Sequence, residues 1–567
     1  MENTQTRKQQ WQILIYFVAF LLAAALRFIR LGALPMGDFE AGNALQALQL
    51  ANGGTPVIGG QPGYVVLTSF LFFTFGHSEF WARLWPALFG AGLIFTPLLF
   101  KRWIGENASL ILALFFAIEP GFIALSRTST GTMIALVGLL AAFGFLLNKK
   151  PVLAGIFTGI ALLGGVAIWA GLVGLGLSFL LFLLFQRRQK EHLRRKNFMI
   201  IPKLDWSSFL LSASITLVLI STGFFFHSRA ISGLGTSLVD YFQSWFAKGT
   251  GVSIKVMVLA LIGEQFMAIL LGIWGAIRSW KLYKPITLFM VLWVLVSTGL
   301  IFMNSSRQIV DWAWTLLPLW LLAALGLEEL IKGFSRQTWI LKLFQSMATV
   351  ALLVFSFLNF LSLVTTTNPV ASKTNAILGI ILPMILLVVI TILIGWGWSP
   401  QAASQGFLLG LGLILVVVSF GTAWKGAGLG PRPEAELWRS DGLPVGRDLL
   451  MNTVDNLSLW NTTQKNGIDI VLLNEKQSAL QWVFRDFTGL QEKDIIGDSE
   501  TPSLLISSVN NPLTSAQLYR GQAIDWTATP NFASMTAKDW VDWFTFREVP
   551  LTTNKLILWA RNDLFKN

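Results

Sequence analysis

The chain has no cysteine among its 567 residues. That absence excludes disulfides, thiol catalysis and cysteine-based zinc sites. Histidine is almost as scarce: His77, His192 and His227 are all there are, too few for a histidine-rich metal centre. Charge is the third shortage, at 13% of residues against roughly 25% in an ordinary soluble domain. No glycine loop of the P-loop or dinucleotide-binding kind occurs either. The chemistry left to the chain is that of carboxylates, arginine and lysine, and hydroxyls.

What is present is apolar. Hydrophobic residues make up 54% of the sequence, with 24 Trp and 44 Phe, and the mean hydropathy is +0.62. A soluble protein of this size cannot bury so much apolar surface, whereas a bilayer hides it and gives aromatic residues an interface to occupy. The class is therefore a polytopic α-helical membrane protein. Taking roughly 20 apolar residues per crossing, thirteen spans are expected, near 12–30, 83–100, 107–125, 130–147, 151–166, 168–186, 207–227, 254–277, 285–303, 310–330, 340–364, 376–396 and 405–424. The first reads as an uncleaved signal anchor. The stretch 151–186 is either two short helices turning at Gly164-Gly165 or one long helix with a break. The run Tyr64–Phe75, bounded by Pro62-Gly63 and Gly76, is too short to cross and is expected to be interfacial or re-entrant.

Charge orients these spans. From Pro431 onward there are 13 basic and 17 acidic residues, a net of −4, which leaves +16 of the total +12 to the membrane part. Omitting 64–75 as a span puts Arg7/Lys8, Lys101/Arg102, Lys149/Lys150, the cluster Arg187–Lys203, Arg278/Lys281/Lys284 and Lys332/Arg336/Lys342 on one side, as cytoplasmic loops require. Basic excess confined to short loops speaks of orientation, and no nucleic-acid partner is expected. The N-terminus is then cytoplasmic, and the long first loop, 31–82, shares the extracytoplasmic side with the C-terminus of a multi-pass plasma-membrane protein. Two domains follow: a transmembrane one, 1–425, and a soluble extracytoplasmic α/β domain, 426–567, joined through GAGLGPRP at 426–433. Short strand-like runs near 468–473, 503–508 and 555–560 alternate with helical patterns such as SALQWVFRDF, which predicts a small, largely parallel sheet.

The first outside loop begins LRFIRLGALPMGDFEAGNALQAL and places Asp38 and Glu40 two residues apart. Such a pair can hold a divalent cation, Mg or Mn, through hard oxygen ligands, or one member can act as general base; equally, it can be an acidic pair in water. Glu119 precedes Pro120 at the outside end of the third span, either as a helix-end residue or as a second acidic group. Arg83, Arg127 and Arg307 lie at outside membrane ends, where Arg suits a lipid phosphate but also serves as an interfacial anchor. Glu264 falls roughly mid-span, where a carboxylate is a functional candidate or a paired packing residue. His227, Arg229 and Asp240 lie in the outside loop 228–253 or at its edge, able to cover an acceptor or to pack on the soluble domain.

Several of these segments resemble one superfamily. Arg83-Leu84-Trp85-Pro86-Ala87-Leu88-Phe89-Gly90 is similar to the Arg-Leu-Pro-x-x-x-x-Gly that opens the second span of GT-C glycosyltransferases. EPGFIALSRTSTG at the end of the third span and NSSRQIVDWAWTLLPLWLLAALG at 304–326 are similar to further motifs of the same superfamily. Within it, the chain resembles the protein O-mannosyltransferases and lipid A aminoarabinose transferases over about residues 1–330. The resemblance implies an inverting transfer of sugar from a polyprenyl-phosphate carrier to a protein or lipid-linked glycan outside the cell. It also implies Asp38 as base, Glu40 as its partner, Glu119 as a second acidic ligand, and Arg127, Arg307 or Arg83 on the donor phosphate. The chain departs from the usual adjacent Asp-Glu, having Asp38-Phe39-Glu40. Two alternatives stay open beside transfer: a polyprenyl-lipid flippase, and a non-catalytic scaffold of the same fold.

Overall fold

The structure, a computed structural model, describes residues 2–565 apart from 189–204, 248, 250, 283, 333–338, 366–369, 440, 441, 498, 499 and 510–517. Most of the basic cluster 187–203, and Arg336, lie outside the described residues. In lipid a backbone must satisfy its polar groups within its own segment, so apolar runs become helices. α1 (Glu2–Phe28) leads into the first loop, which folds as α2 (Asp38–Ala51) and α3 (Pro62–Phe75). The second span is α4 (Glu79–Gly92), a 3-10 turn and α5 (Thr96–Ile104); the third is α6 (Glu106–Ile118) and α7 (Pro120–Ser126), bent by 58° at Glu119. Then come α8 (Thr132–Leu147), α9 (Pro151–Leu162), α10 (Ala167–Arg188), α11 (Trp206–Ser221) and α12 (Ser232–Ser244). The remaining membrane helices are α13 (Ile254–Ser279), α14 (Lys284–Met303), α15 (Ala313–Lys332), α16 (Trp339–Thr365), α17 (Val370–Gly397) and α18 (Pro400–Gly426).

The protein is a multi-pass membrane protein. Among the described residues nine helical segments are long and apolar enough to cross, and a tenth if α6 and α7 form one span. All thirteen expected spans are helical, but α8, α9 and α11 have only 16, 12 and 16 residues. At 1.5 Å per residue these reach about 18–24 Å, short of a roughly 30 Å hydrocarbon core. The stretch 151–186 is two helices, turned at Gly165 in the left-handed region (φ 94°), and the excluded run 64–75 is the 14-residue α3.

The tail carries α19 (Arg447–Thr462), β1 (Ile470–Leu473), α20 (Ser478–Val483), β2 (Leu490–Lys493), β3 (Leu504–Ser508), β4 (Tyr519–Pro530), α21 (Ala537–Phe546) and β5 (Leu551–Arg561). Strand order is β2-β1-β3-β5-β4. The expectation of a largely parallel sheet is corrected here. β1 pairs in parallel with β2 and β3 over four residues each, whereas β5 pairs antiparallel with β3 over five and with β4 over eleven. β4 and β5 form a hairpin whose tip carries α21. The sequence hid β4, because YRGQAIDWTATP is polar and broken by Gly and Pro.

That tip reaches the membrane helices. Trp543 of α21 fills the notch at Gly263 of α13, where a Cβ would come within 2.8 Å of the indole. Arg547 ends α21 in the left-handed region (φ 57°) and turns its guanidinium to Glu264 at 3.4 Å and Glu436 at 3.1 Å. Glu264 is therefore not a lone mid-span carboxylate. Its neighbour Gln265 bonds Glu119 (2.6 Å), so the pair lies at the level where α6 ends.

The first loop and the tail also meet. α2 packs on α20, His77 bonds Asp486 (2.7 Å), and Arg447 reaches Glu79 (3.1 Å). Loop and tail therefore occupy one side of the bundle. Which side that is can be read by labelling, because the chain has no native Cys. Single Cys residues at the exposed positions Thr55 and Lys465 should react with an impermeant maleimide in intact cells, and one at exposed Lys150 should not. Labelling at Lys150 alone would invert the expected orientation.

Candidate active site

A helix break buried in an apolar setting exposes carbonyls at one end and N–H groups at the other. At the α6–α7 break both sets are met. Glu119, fully buried, caps α7 by accepting from the N–H of Gly121 (3.0 Å) and of Phe122, and takes a third bond from Gln265. The freed carbonyls of Phe116 and Ala117 accept from Arg27 of α1 (3.1 and 3.2 Å). Arg127 in turn donates to Leu26, Arg27 and Arg30 at the end of α1 (2.8–3.1 Å). Glu119 and Arg127, read in the sequence as acidic ligand and phosphate contact, are placed as helix caps. Their charges complement the helix ends they hold.

Arg83 is equally committed. It is 1% exposed, and its fork grips Glu40 through Nε (2.9 Å) and Nη2 (2.7 Å) and the carbonyls of Leu31, Leu34 and Pro35. The clasp ties the start of the loop to α4. It also fixes the direction of α2, whose first residue is Asp38. In a helix, residues two apart point to different sides. Glu40 accordingly faces Arg83, while the exposed Asp38 accepts from the N–H of Ala479 at the start of α20 (2.9 Å). Phe39, between them, faces the cavities described below. The two carboxylates diverge, so one cation cannot take both in this arrangement. No group of three or more His, Asp or Glu converges among the described residues.

A cavity of about 570 Å³ lies beside this loop. Its walls include Gln308 and Asp311, at the 3-10 turn before α15, and Tyr241, Ser244 and Trp245 at the end of α12. A smaller pocket of about 90 Å³ shares Phe39, Thr132 and Val310 with it and adds Glu40, Thr128 and Arg439. Arg439 comes from the tail, beside Trp438, whose indole lies over Gly121 so closely that a Cβ there would meet it at 2.5 Å. Among the described residues no acceptor bonds the Arg439 guanidinium. Burial lowers its pKa, and the Glu40 carboxylate pulls the other way.

The remaining expected residues stand apart. Arg307 donates to the Asn304 carbonyl (2.8 Å), and its neighbours Ser306 and Gln308, not its own side chain, line the cavity. His227 precedes the 3-10 turn Ser228–Ile231 without a side-chain capping bond, Arg229 is exposed, and Asp240 lies against Gly60, where a Cβ would come within 2.9 Å. Arg439 and Asp311 were not singled out from sequence. Asp311 lay four residues beyond Arg307 in a segment already noted; nothing local marked Arg439.

No protein-family profile matches the sequence, and no curated protein does. Solved structures do. ArnT from Cupriavidus metallidurans bound to undecaprenyl phosphate superposes with a TM-score of 0.57 at 15% identity, over 98% of this chain and 99% of that one. The same ArnT in the apo state gives 0.57 and 15%, over 99% and 100%. The chain has the ArnT fold. The fold expected from the resemblance is thereby borne out, and along nearly the whole chain rather than its first 330 residues.

Within the ArnT fold the Arg83–Glu40 clasp carries a direct stability test. Removing one partner of a buried ion pair leaves the other charge uncompensated, at a cost of about 3–5 kcal/mol. Arg83→Ala should lower the thermal midpoint of the detergent-solubilised protein strongly, and adding Glu40→Leu should restore part of the loss. An Arg83→Ala protein as stable as the parent would remove the clasp from this account.

Proposed function

We propose that the chain transfers a sugar from a polyprenyl-phosphate carrier to an acceptor on the extracytoplasmic side, with inversion. The observation that carries this reading is the arginine that enters the small pocket from the tail, Arg439. Four arginines, Arg27, Arg83, Arg127 and Arg439, stand in this neighbourhood, against three carboxylates, Glu40, Glu119 and Glu436, the last of them paired to Arg547. Three of the four arginines are consumed by helix ends and the Glu40 clasp, and Arg439 is left facing the pocket. A phosphate there would find an Arg fork and compensating charge. That ArnT has been seen with undecaprenyl phosphate supports the same ligand class.

The reaction needs little else. With the phosphate at Arg439 and the sugar in the adjoining cavity, an acceptor hydroxyl attacks the anomeric carbon from the face opposite the phosphate. The C–O bond to phosphate breaks, the new glycosidic bond forms, and polyprenyl phosphate leaves with its electron pair. The acceptor proton goes to Asp38, an exposed carboxylate next in sequence to Phe39 of the cavity wall. Asp38 keeps one oxygen on Ala479 and the other toward solvent. A flippase would need an intramembrane carboxylate such as Glu264 free to relay protons, and Glu264 is paired to Arg547 instead. The scaffold reading has one observation in its favour, that Asp38 caps α20 of the tail.

Two variants separate these readings. Asp38→Asn keeps the acceptor for the Ala479 N–H and relieves the charge that helps raise Glu475, so folding should survive. Turnover with a polyprenyl-phosphate sugar should fall by roughly two to four orders of magnitude. Unchanged turnover would end the assignment of Asp38 as base, and absence of turnover in the parent with every donor would favour the scaffold. Arg439→Ala should weaken binding of polyprenyl phosphate by about tenfold or more, as loss of a charge-assisted contact does, with Lys465→Ala as an unaffected control.

A further inference from the structure

The two adjoining cavities differ in charge. The small pocket holds the Arg439 guanidinium; among the described residues the walls of the large one hold no Lys, Arg or His. Its polar surface consists of neutral amides and hydroxyls, among them Gln61, Ser244, Ser297, Asn304, Ser306 and Gln308. Groups of this kind both donate and accept, as sugar hydroxyls do. Tyr241, Trp245 and Trp314 add aromatic surface for the C–H face of a ring. The single carboxylate in the walls is Asp311.

Asp311 is fixed rather than floppy. One oxygen accepts from the Gln308 N–H (2.8 Å), and the Gln308 side chain accepts from the Asp311 N–H, a reciprocal cap at the start of the 3-10 turn before α15. Its other oxygen remains for a ligand. The nearest cation along the chain, Arg307, is turned to the Asn304 carbonyl and is not in the walls. An anionic group entering this space would meet a fixed negative charge in a partly desolvated cavity whose described walls offer no cation to offset it. Like charges at such range repel by several-fold to hundred-fold in affinity at an effective dielectric of about 20.

We infer that the large cavity admits the donor's sugar only when that sugar bears no anionic group, and that Asp311 is the residue that enforces the choice. The inference rests on the transferase reading above and deepens it. The donor is divided by charge, with its phosphate at Arg439 and an uncharged sugar such as a hexose against Asp311. A hexuronic acid of the same size is refused. This is selection by a repulsive element rather than by an added attraction.

The test is a set of dissociation constants for the full-length purified chain in nanodiscs, measured by native mass spectrometry. Three ligands share one polyprenyl chain: the bare phosphate, its hexose ester and its hexuronic acid ester. The parent should bind the hexosyl lipid at least about tenfold more tightly than the hexuronosyl lipid. Asp311→Asn, which can still accept from Gln308, should narrow that ratio to about threefold or less and leave the bare phosphate unchanged. Ser244→Asp, placing a second charge in the same walls, should widen it. Equal binding of the two glycolipids by the parent, or discrimination undiminished in Asp311→Asn, would overturn the inference. Failure of the parent to bind the bare phosphate would instead overturn the transferase reading and this inference with it.

Discussion

A helix that stops where there is no water has to find partners for its last carbonyls and first N–H groups. In this protein that requirement is met at one place, the break between α6 and α7, and it organises what surrounds it. Glu119 holds the start of α7, Arg27 holds the end of α6, and Arg127 holds the end of α1. Each charged residue sits at the helix pole of opposite sign. Because α1 ends there, the chain leaves the bundle at a fixed point and angle. Arg83 then receives the carbonyls of Leu31, Leu34 and Pro35, and α2 starts in a defined direction. The position of Phe39 in the cavity wall follows from these four side chains.

The same arrangement explains why an acidic pair spaced by one residue behaves as two separate groups. Had the segment stayed extended, Asp38 and Glu40 would have shared a face. A helix beginning at Asp38 sends them apart, one to the tail and one to a buried arginine. Spacing alone carries no chemistry until the backbone conformation is known.

Much of the fold was legible because lipid leaves few options. Runs of twenty apolar residues have to be helices, and each expected span is helical; of the two readings open for 151–186, the structure has the two helices turned at Gly165. The site was legible only in part. Arg83, Glu40, Glu119 and Arg127 were visible as charges near membrane ends, but an arginine that caps a helix and one that binds phosphate look alike in sequence. The difference lies in which carbonyls lie within 3 Å, and those come from residues about 50 to 100 positions away. Arg439 could not be found at all by local pattern, since it enters the pocket from the far end of the chain. β4 escaped for a different reason: its pairing with β5, not its own hydrophobicity, makes it a strand.

The bond between Arg547 and Glu264 has a consequence for how the molecule is made. The two residues are 283 positions apart. At about 5–20 residues per second of synthesis, α13 is complete roughly 15–55 s before its partner exists. Through that interval Glu264 has no Arg547 to pair with, and the notch at Gly263 lacks the Trp543 indole. The hairpin tip therefore meets helices already made, and its arrival fills the notch and pairs the buried acid.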